Sequence, residues 1–156
     1  MAKITKILQV GIATYDLEEK IRNFEKVGIG SFQIVVDTQK NLGAPASNTK
    51  YFGEPTDIDV RVAVCALDGL EIELIQPMDE KGTYAKHLRE HGEGCIHHLG
   101  IQLDDNAGFR QIMKAEGVRS EWKGDVDPAL GSSFEYFDTR KLLGFCVEMF
   151  DPEPVE

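Results

Sequence analysis

The hydrophobic pattern of this chain breaks into apolar runs of strand length and amphipathic stretches of helix length, punctuated by Asp, Gly and Pro. Strands are expected near Ile4–Thr14, Ser31–Asp37, Asp59–Ala66 and Leu70–Gln76, with a helix over Leu17–Val27 after the first of them. The same order then returns. Strands are expected near Cys95–Leu103, Val118–Trp122, Ser132–Phe137 and Phe145–Phe150, with a helix over Asn106–Glu116. A short helix, Tyr84–His91, links the halves after Pro77.

The repetition extends to individual residues. A shift of 89 lays Gln9-Val10-Gly11-Ile12 over His98-Leu99-Gly100-Ile101, and Asp16 and Gly28 over Asp105 and Gly117. Asp at the helix start can accept from the unpaired amides of the first turn, and Gly suits the residue that ends it. A second shift, of 75, lays Leu67–Pro77 over Leu142–Pro152, so that Glu73 falls on Glu148. Each of these segments reads as a turn at Gly69 or Gly144, an apolar strand carrying a Glu, and a Pro that stops it. The difference between the shifts predicts a longer interior in the first copy, an extra loop over Asn41–Thr56. The fold class is therefore α+β: two tandem βαβββ modules, 1–92 with the linking helix and 93–156, forming one compact unit.

Composition excludes several classes. The 156 residues carry 17 basic and 27 acidic side chains, a formal charge of −10, with no concentrated basic face for a nucleic acid. No apolar run reaches the roughly 20 residues that span a bilayer. The lysines near Met1 have no apolar stretch behind them, so no secretory signal is expected. Cys65, Cys95 and Cys146 are scattered and odd in number, which reads as reduced thiols of a cytoplasmic protein.

The repeat sets Gln9 and His98 at equivalent places on the first strand of each copy, and Glu73 and Glu148 on the last. All four can offer a lone pair to a metal. Glu73 lies between Ile72 and Leu74, and Glu148 between Val147 and Met149. A carboxylate in such a setting is costly unless it meets a cation. Two of them at one repeat position, facing a donor on the neighbouring strand, point to one shared ion. Singly, either Glu could face water, and Glu71 would share that face with Glu73. His97 and His98 face opposite ways on a strand, and the repeat selects His98, leaving His97 packed behind it. His87 and His91, four apart on a helix, read as surface residues.

With these residues in hand the chain resembles the vicinal oxygen chelate superfamily, which includes glyoxalase I and methylmalonyl-CoA epimerase. The resemblance is carried by Gln9–Ala13, Glu71–Pro77, Gly92–Ile101 with its double His, and Val147-Glu148. It implies two modules whose curved mixed sheets surround a metal-binding cleft. Epimerases of this type usually begin with His where this chain has Gln9; the set Gln9, Glu73, His98, Glu148 looks like that of one glyoxalase I subgroup. The second carboxylate base of the epimerases has no evident counterpart here. Asp59 and Arg61 are the residues available in that region.

The resemblance implies a metal-dependent epimerase or isomerase that removes a proton α to a carbonyl, with Glu148 and Glu73 as proton carriers. One divalent ion is expected, with zinc, cobalt, nickel and manganese all compatible with the donors. The expected partner is a small-molecule substrate, with an acyl-CoA thioester fitting the epimerase resemblance, and the expected assembly is a homodimer. Lys40, Lys50 and Arg61 are the scattered cations available for its phosphates. A glyoxalase I-type lactoylglutathione lyase and a non-enzymatic binding protein of the same fold are the alternatives.

Overall fold

The computed structural model describes residues 1–152. In chain order its elements are β1 (Ile4–Ala13), α1 (Leu17–Lys26), β2 (Gln33–Asp37), β3 (Ser47–Tyr51), β4 (Glu54–Pro55), β5 (Val60–Leu67), β6 (Leu70–Pro77) and α2 (Gly82–His91). They continue as β7 (Ile96–Leu103), α3 (Asn106–Ala115), β8 (Ser120–Asp127), β9 (Ser132–Phe137), α4 (Arg140–Leu143) and β10 (Cys146–Asp151). The βαβββ order expected from the repeat is present in both copies.

The chain forms two compact units. The first comprises Gln9–Pro45 and Ile58–His97; the second comprises Met1–Leu8, Ala46–Asp57 and the described residues from His98 on.

In the first unit the strands lie in the order β2-β5-β6-β1. β1 and β6 run parallel, and the β5–β6 and β2–β5 pairs antiparallel. Helix α1 starts as its sequence dictates, with the Asp16 carboxylate accepting from the Glu19 amide at 2.8 Å, a cap worth about 1 kcal/mol. Its apolar stripe, Leu17, Ile21 and Phe24, packs on Ala63, Leu74, Ile12 and Ile72. After α2 the chain is fastened by Glu93. Its carboxylate accepts from Thr14 Oγ1 and the Tyr15 amide, both at 2.7 Å, and pairs with Lys20 at 2.8 Å. Burial pushes the Glu93 carboxyl up, but the Lys20, Thr14 and Tyr15 donors outweigh it and hold it below the usual carboxylate range.

The second unit repeats the plan as β7-β10-β9-β8, with β7 and β10 parallel and the other pairs antiparallel. Asp105 caps α3 through the Gly108 amide at 2.8 Å, the counterpart of Asp16. Phe109 and Met113 pack on Ile101, Leu103, Phe137, Val147 and Met149.

Three expectations are corrected. Asn41–Thr56 is not a loop: most of it forms the β3–β4 hairpin, which adds itself to β8. Ser47-Asn48-Thr49-Lys50-Tyr51 carries no apolar run, so its strand character depends on the ladder it finds there. The hairpin turns at Phe52-Gly53, both at positive φ (48° and 88°), and the Phe52 amide donates to the Glu121 carbonyl at 2.7 Å. Gly144 does not make a hairpin turn like Gly69; it ends the one-turn helix α4 in the left-handed conformation. His87 is fully buried rather than on the surface, because α2 lays it against the His97 ring at 5.0 Å.

Candidate active site

In the first unit Gln9 stands opposite Glu71 across the parallel β1–β6 ladder, and Gly11 opposite Glu73. Opposed residues share a face and the pleat repeats every two, so Gln9, Glu71 and Glu73 project to one side. All three are half-buried. The Gln9 amide donates from Nε2 to Glu71 Oε1 at 2.8 Å. Leu74, next to Glu73, is fully buried in the core on the other side of the strand.

The second unit has the same register with different side chains. His98 stands opposite Cys146 and Gly100 opposite Glu148, so His98, Cys146 and Glu148 share a face. His98 is fully buried and Glu148 is 5% exposed. His98 Nε2 and Glu148 Oε2 are 3.2 Å apart. Tyr136, opposite Glu148 on β9, stacks on the His98 ring with centroids 4.8 Å apart and planes at 28°. Each unit thus brings one first-strand donor and one last-strand carboxylate onto a common face.

The reverse side of β7 carries His97, also fully buried. Its Nε2 lies 2.7 Å from Thr83 Oγ1, and its ring packs on Tyr84 of α2 at 4.7 Å. His97 is packed, as expected.

A polar cluster that the sequence did not announce lies beside Cys146. A register shift in β8 between Ser120 and Trp122 turns Glu121 inward. Its Oε2 accepts from Arg140 at 2.6 Å and from the Cys146 thiol at 3.2 Å, and Arg140 also donates to Asp138 at 2.9 Å. Burial, reinforced by Glu121, pushes the Cys146 thiol up, so it stays protonated. Glu121, Asp138 and Cys146 lie within 4.8 Å of one another, but Arg140 already supplies their cation. They are an ion-pair cluster. Only the bulge could have signalled Glu121, and a bulge has no composition signature in this stretch.

Of the two residues available for a second base, Asp59 is exposed and Arg61 is tied to carboxylates. Arg61 is held by Asp37 at 3.0 Å and by Glu18, and Lys40 lies 3.7 Å from Asp37. Cys65 and Cys146 are buried, Cys95 is half-exposed, and all three are free thiols. No helix among the described residues is long and apolar enough to cross a membrane.

Comparison with known proteins gives a consistent answer. Residues 8–136 match the Glyoxalase/Bleomycin resistance protein/Dioxygenase superfamily. The chain belongs to this superfamily. Within it, the mitochondrial methylmalonyl-CoA epimerase of Dictyostelium discoideum is 27% identical over 137 residues, covering 80% of each chain. The ethylmalonyl-CoA/methylmalonyl-CoA epimerase of Cereibacter sphaeroides is 28% identical over 129 residues, covering 83% of this chain and 82% of that one. Among solved structures, a methylmalonyl-CoA epimerase in complex with methylmalonyl-CoA and NH4+ has a TM-score of 0.63 at 20% identity, covering 95% and 94% of the two chains. The epimerase of Mycobacterium tuberculosis has a TM-score of 0.61 at 21% identity, covering 97% and 90%. Members of the superfamily thus share this chain's fold along nearly its whole length.

Proposed function

We propose that this chain is a metal-dependent epimerase acting on a 2-branched malonyl-CoA thioester of the methylmalonyl-CoA type. The observation that carries the reading is the buried His98–Glu148 pair, 3.2 Å apart, repeated in register by Gln9 and Glu73 in the other copy. One imidazole, two carboxylates and one amide oxygen make a donor set that fits a divalent ion such as zinc, cobalt, nickel or manganese. A carboxylate as buried as Glu148 also calls for a cation beside it. In this reading Gln9, Glu73, His98 and Glu148 hold the ion, a quartet chosen by the repeat. When bound, such an ion supplies Lewis acidity toward a substrate oxygen next to the reacting carbon.

The chain's own groups do the rest. Glu148 takes the proton α to the thioester carbonyl, and Glu73, its counterpart in the first copy, returns one to the same carbon. Tyr136, stacked on His98, fixes the imidazole plane, and the buried surroundings of Glu148 keep bulk water from competing for the proton. The three free thiols support a reducing, cytoplasmic setting, and a homodimer is the proposed assembly.

The test is solvent exchange. In heavy water, the metal-loaded protein should exchange the α-proton of methylmalonyl-CoA and leave glutathione hemithioacetals untouched. Exchange on hemithioacetals alone would move the assignment to the lyase, and no exchange on either, with the metal bound, would remove the enzyme reading.

A further inference from the structure

We infer that Glu71 is a positioning residue for Gln9: its carboxylate turns the Gln9 amide so that the oxygen, not the nitrogen, is the atom offered to a metal. The inference rests on the proposal that Gln9 is a ligand and assigns a role to a residue outside the quartet.

An amide side chain has nearly the same shape when flipped, yet flipping exchanges a lone-pair donor for an NH2 group that no cation will accept. A glutamine ligand therefore needs something that tells its two ends apart. An ionised carboxylate does so, because it only accepts hydrogen bonds. Glu71 Oε1 lies 2.8 Å from Gln9 Nε2, directly opposite on the parallel ladder, so Nε2 must be the end that faces it. The amide oxygen is the other branch, on the face that Gln9 shares with Glu73 by register.

The second copy supports the same logic by contrast. There the first-strand donor is the imidazole of His98, and the residue opposite is Cys146, not a carboxylate. The copy with an ambiguous amide has the carboxylate; the copy with an imidazole lacks it. Glu71 read from sequence alone is a solvated companion of Glu73. In the structure it is half-buried and bonded across the strands.

The experiment is cobalt(II) binding to metal-free protein, read by competition with a chelator and by the visible absorption of the bound ion. Gln9→Ala should weaken binding. Glu71→Leu should weaken it about 10- to 100-fold, the range for a lost supporting partner of a metal ligand. Glu71→Gln should fall between, since an amide partner can accept or donate. In the Gln9→Ala background Glu71→Leu should cost no more than about 3-fold, the residue of a screened, half-exposed charge. Equal losses in both backgrounds would overturn the inference and make Glu71 a ligand or a plain charge. Intact binding in Glu71→Leu, with Gln9→Ala weakened, would also overturn it while leaving the ligand reading standing. Unchanged binding in Gln9→Ala would remove the ligand reading of Gln9, and the inference with it. Matching thermal midpoints of the metal-free proteins exclude misfolding as the cause.

Discussion

The two copies place their donors in the same register and surround them differently. In the first, Gln9, Glu71 and Glu73 are half-buried, and a side-chain hydrogen bond across β1 and β6 holds the amide. In the second, His98 and Glu148 are sealed under Tyr136 and beside the Cys146–Glu121–Arg140 cluster. The backbone plan of a duplicated module thus fixes where donors project, while the neighbouring side chains decide how costly an unmet charge there is. A buried carboxylate loses far more by being left uncompensated than one that still meets water, so the second copy should dominate both chemistry and stability.

The largest expected effect is on catalysis. Glu148→Gln should lower α-proton exchange about 10²- to 10⁴-fold, the usual worth of a positioned acid or base, while retaining bound metal. Glu73→Gln should lower epimerisation by a smaller factor and leave single-face exchange measurable by NMR. Equal losses in the two variants would break the asymmetry.

Next in size is the ion pair. Arg140→Met leaves Glu121 buried without its cation and should destabilise the protein by about 3–5 kcal/mol, read by denaturant unfolding. The double variant Arg140→Met/Glu121→Gln should recover part of that loss; no recovery would mean that Arg140 stabilises by packing alone. Metal affinity should follow the same ranking, with His98→Ala losing more than Gln9→Ala in the cobalt titration.

The smallest effect concerns the first unit and pH. Glu93 has a folded-state pKa below its unfolded value, so its contribution is fully present above the unfolded carboxylate range. It is lost as pH falls through the lowered folded value. Glu93→Gln should therefore be less stable near neutral pH and lose less on acidification, in thermal scans between about pH 6 and 3. With its side chain 41% exposed, solvent screening keeps the difference small. A steeper acid loss in the variant would contradict the assignment.

Much of this was legible in the sequence because the repeat constrains it twice. Asp16 and Asp105 announced the helix starts, and Glu73 and Glu148 were singled out as the matching carboxylates of two apolar strands. What stayed hidden depended on partners distant in sequence. Ser47–Tyr51 becomes a strand only because β8 has an open edge. His87 is buried because α2 lies against His97, which no spacing rule on α2 itself reveals. Glu121 turns inward at a register shift, and Glu71 looked solvated until its partner Gln9 was in place.

The β3–β4 hairpin has a consequence for how the chain is made. Residues 46–57 and 1–8 leave the ribosome well before β8 and β7, the strands of the second unit to which they bond. They must therefore wait, unpaired, while roughly sixty to ninety residues are synthesised. A waiting edge strand invites pairing with other nascent chains. Lys50 on the strand and Pro55 after it, in a segment without an apolar run, are features that keep such an edge from sticking. A gene cut at the repeat boundary would sever these stretches from their partners and should yield halves that rescue each other only when expressed together.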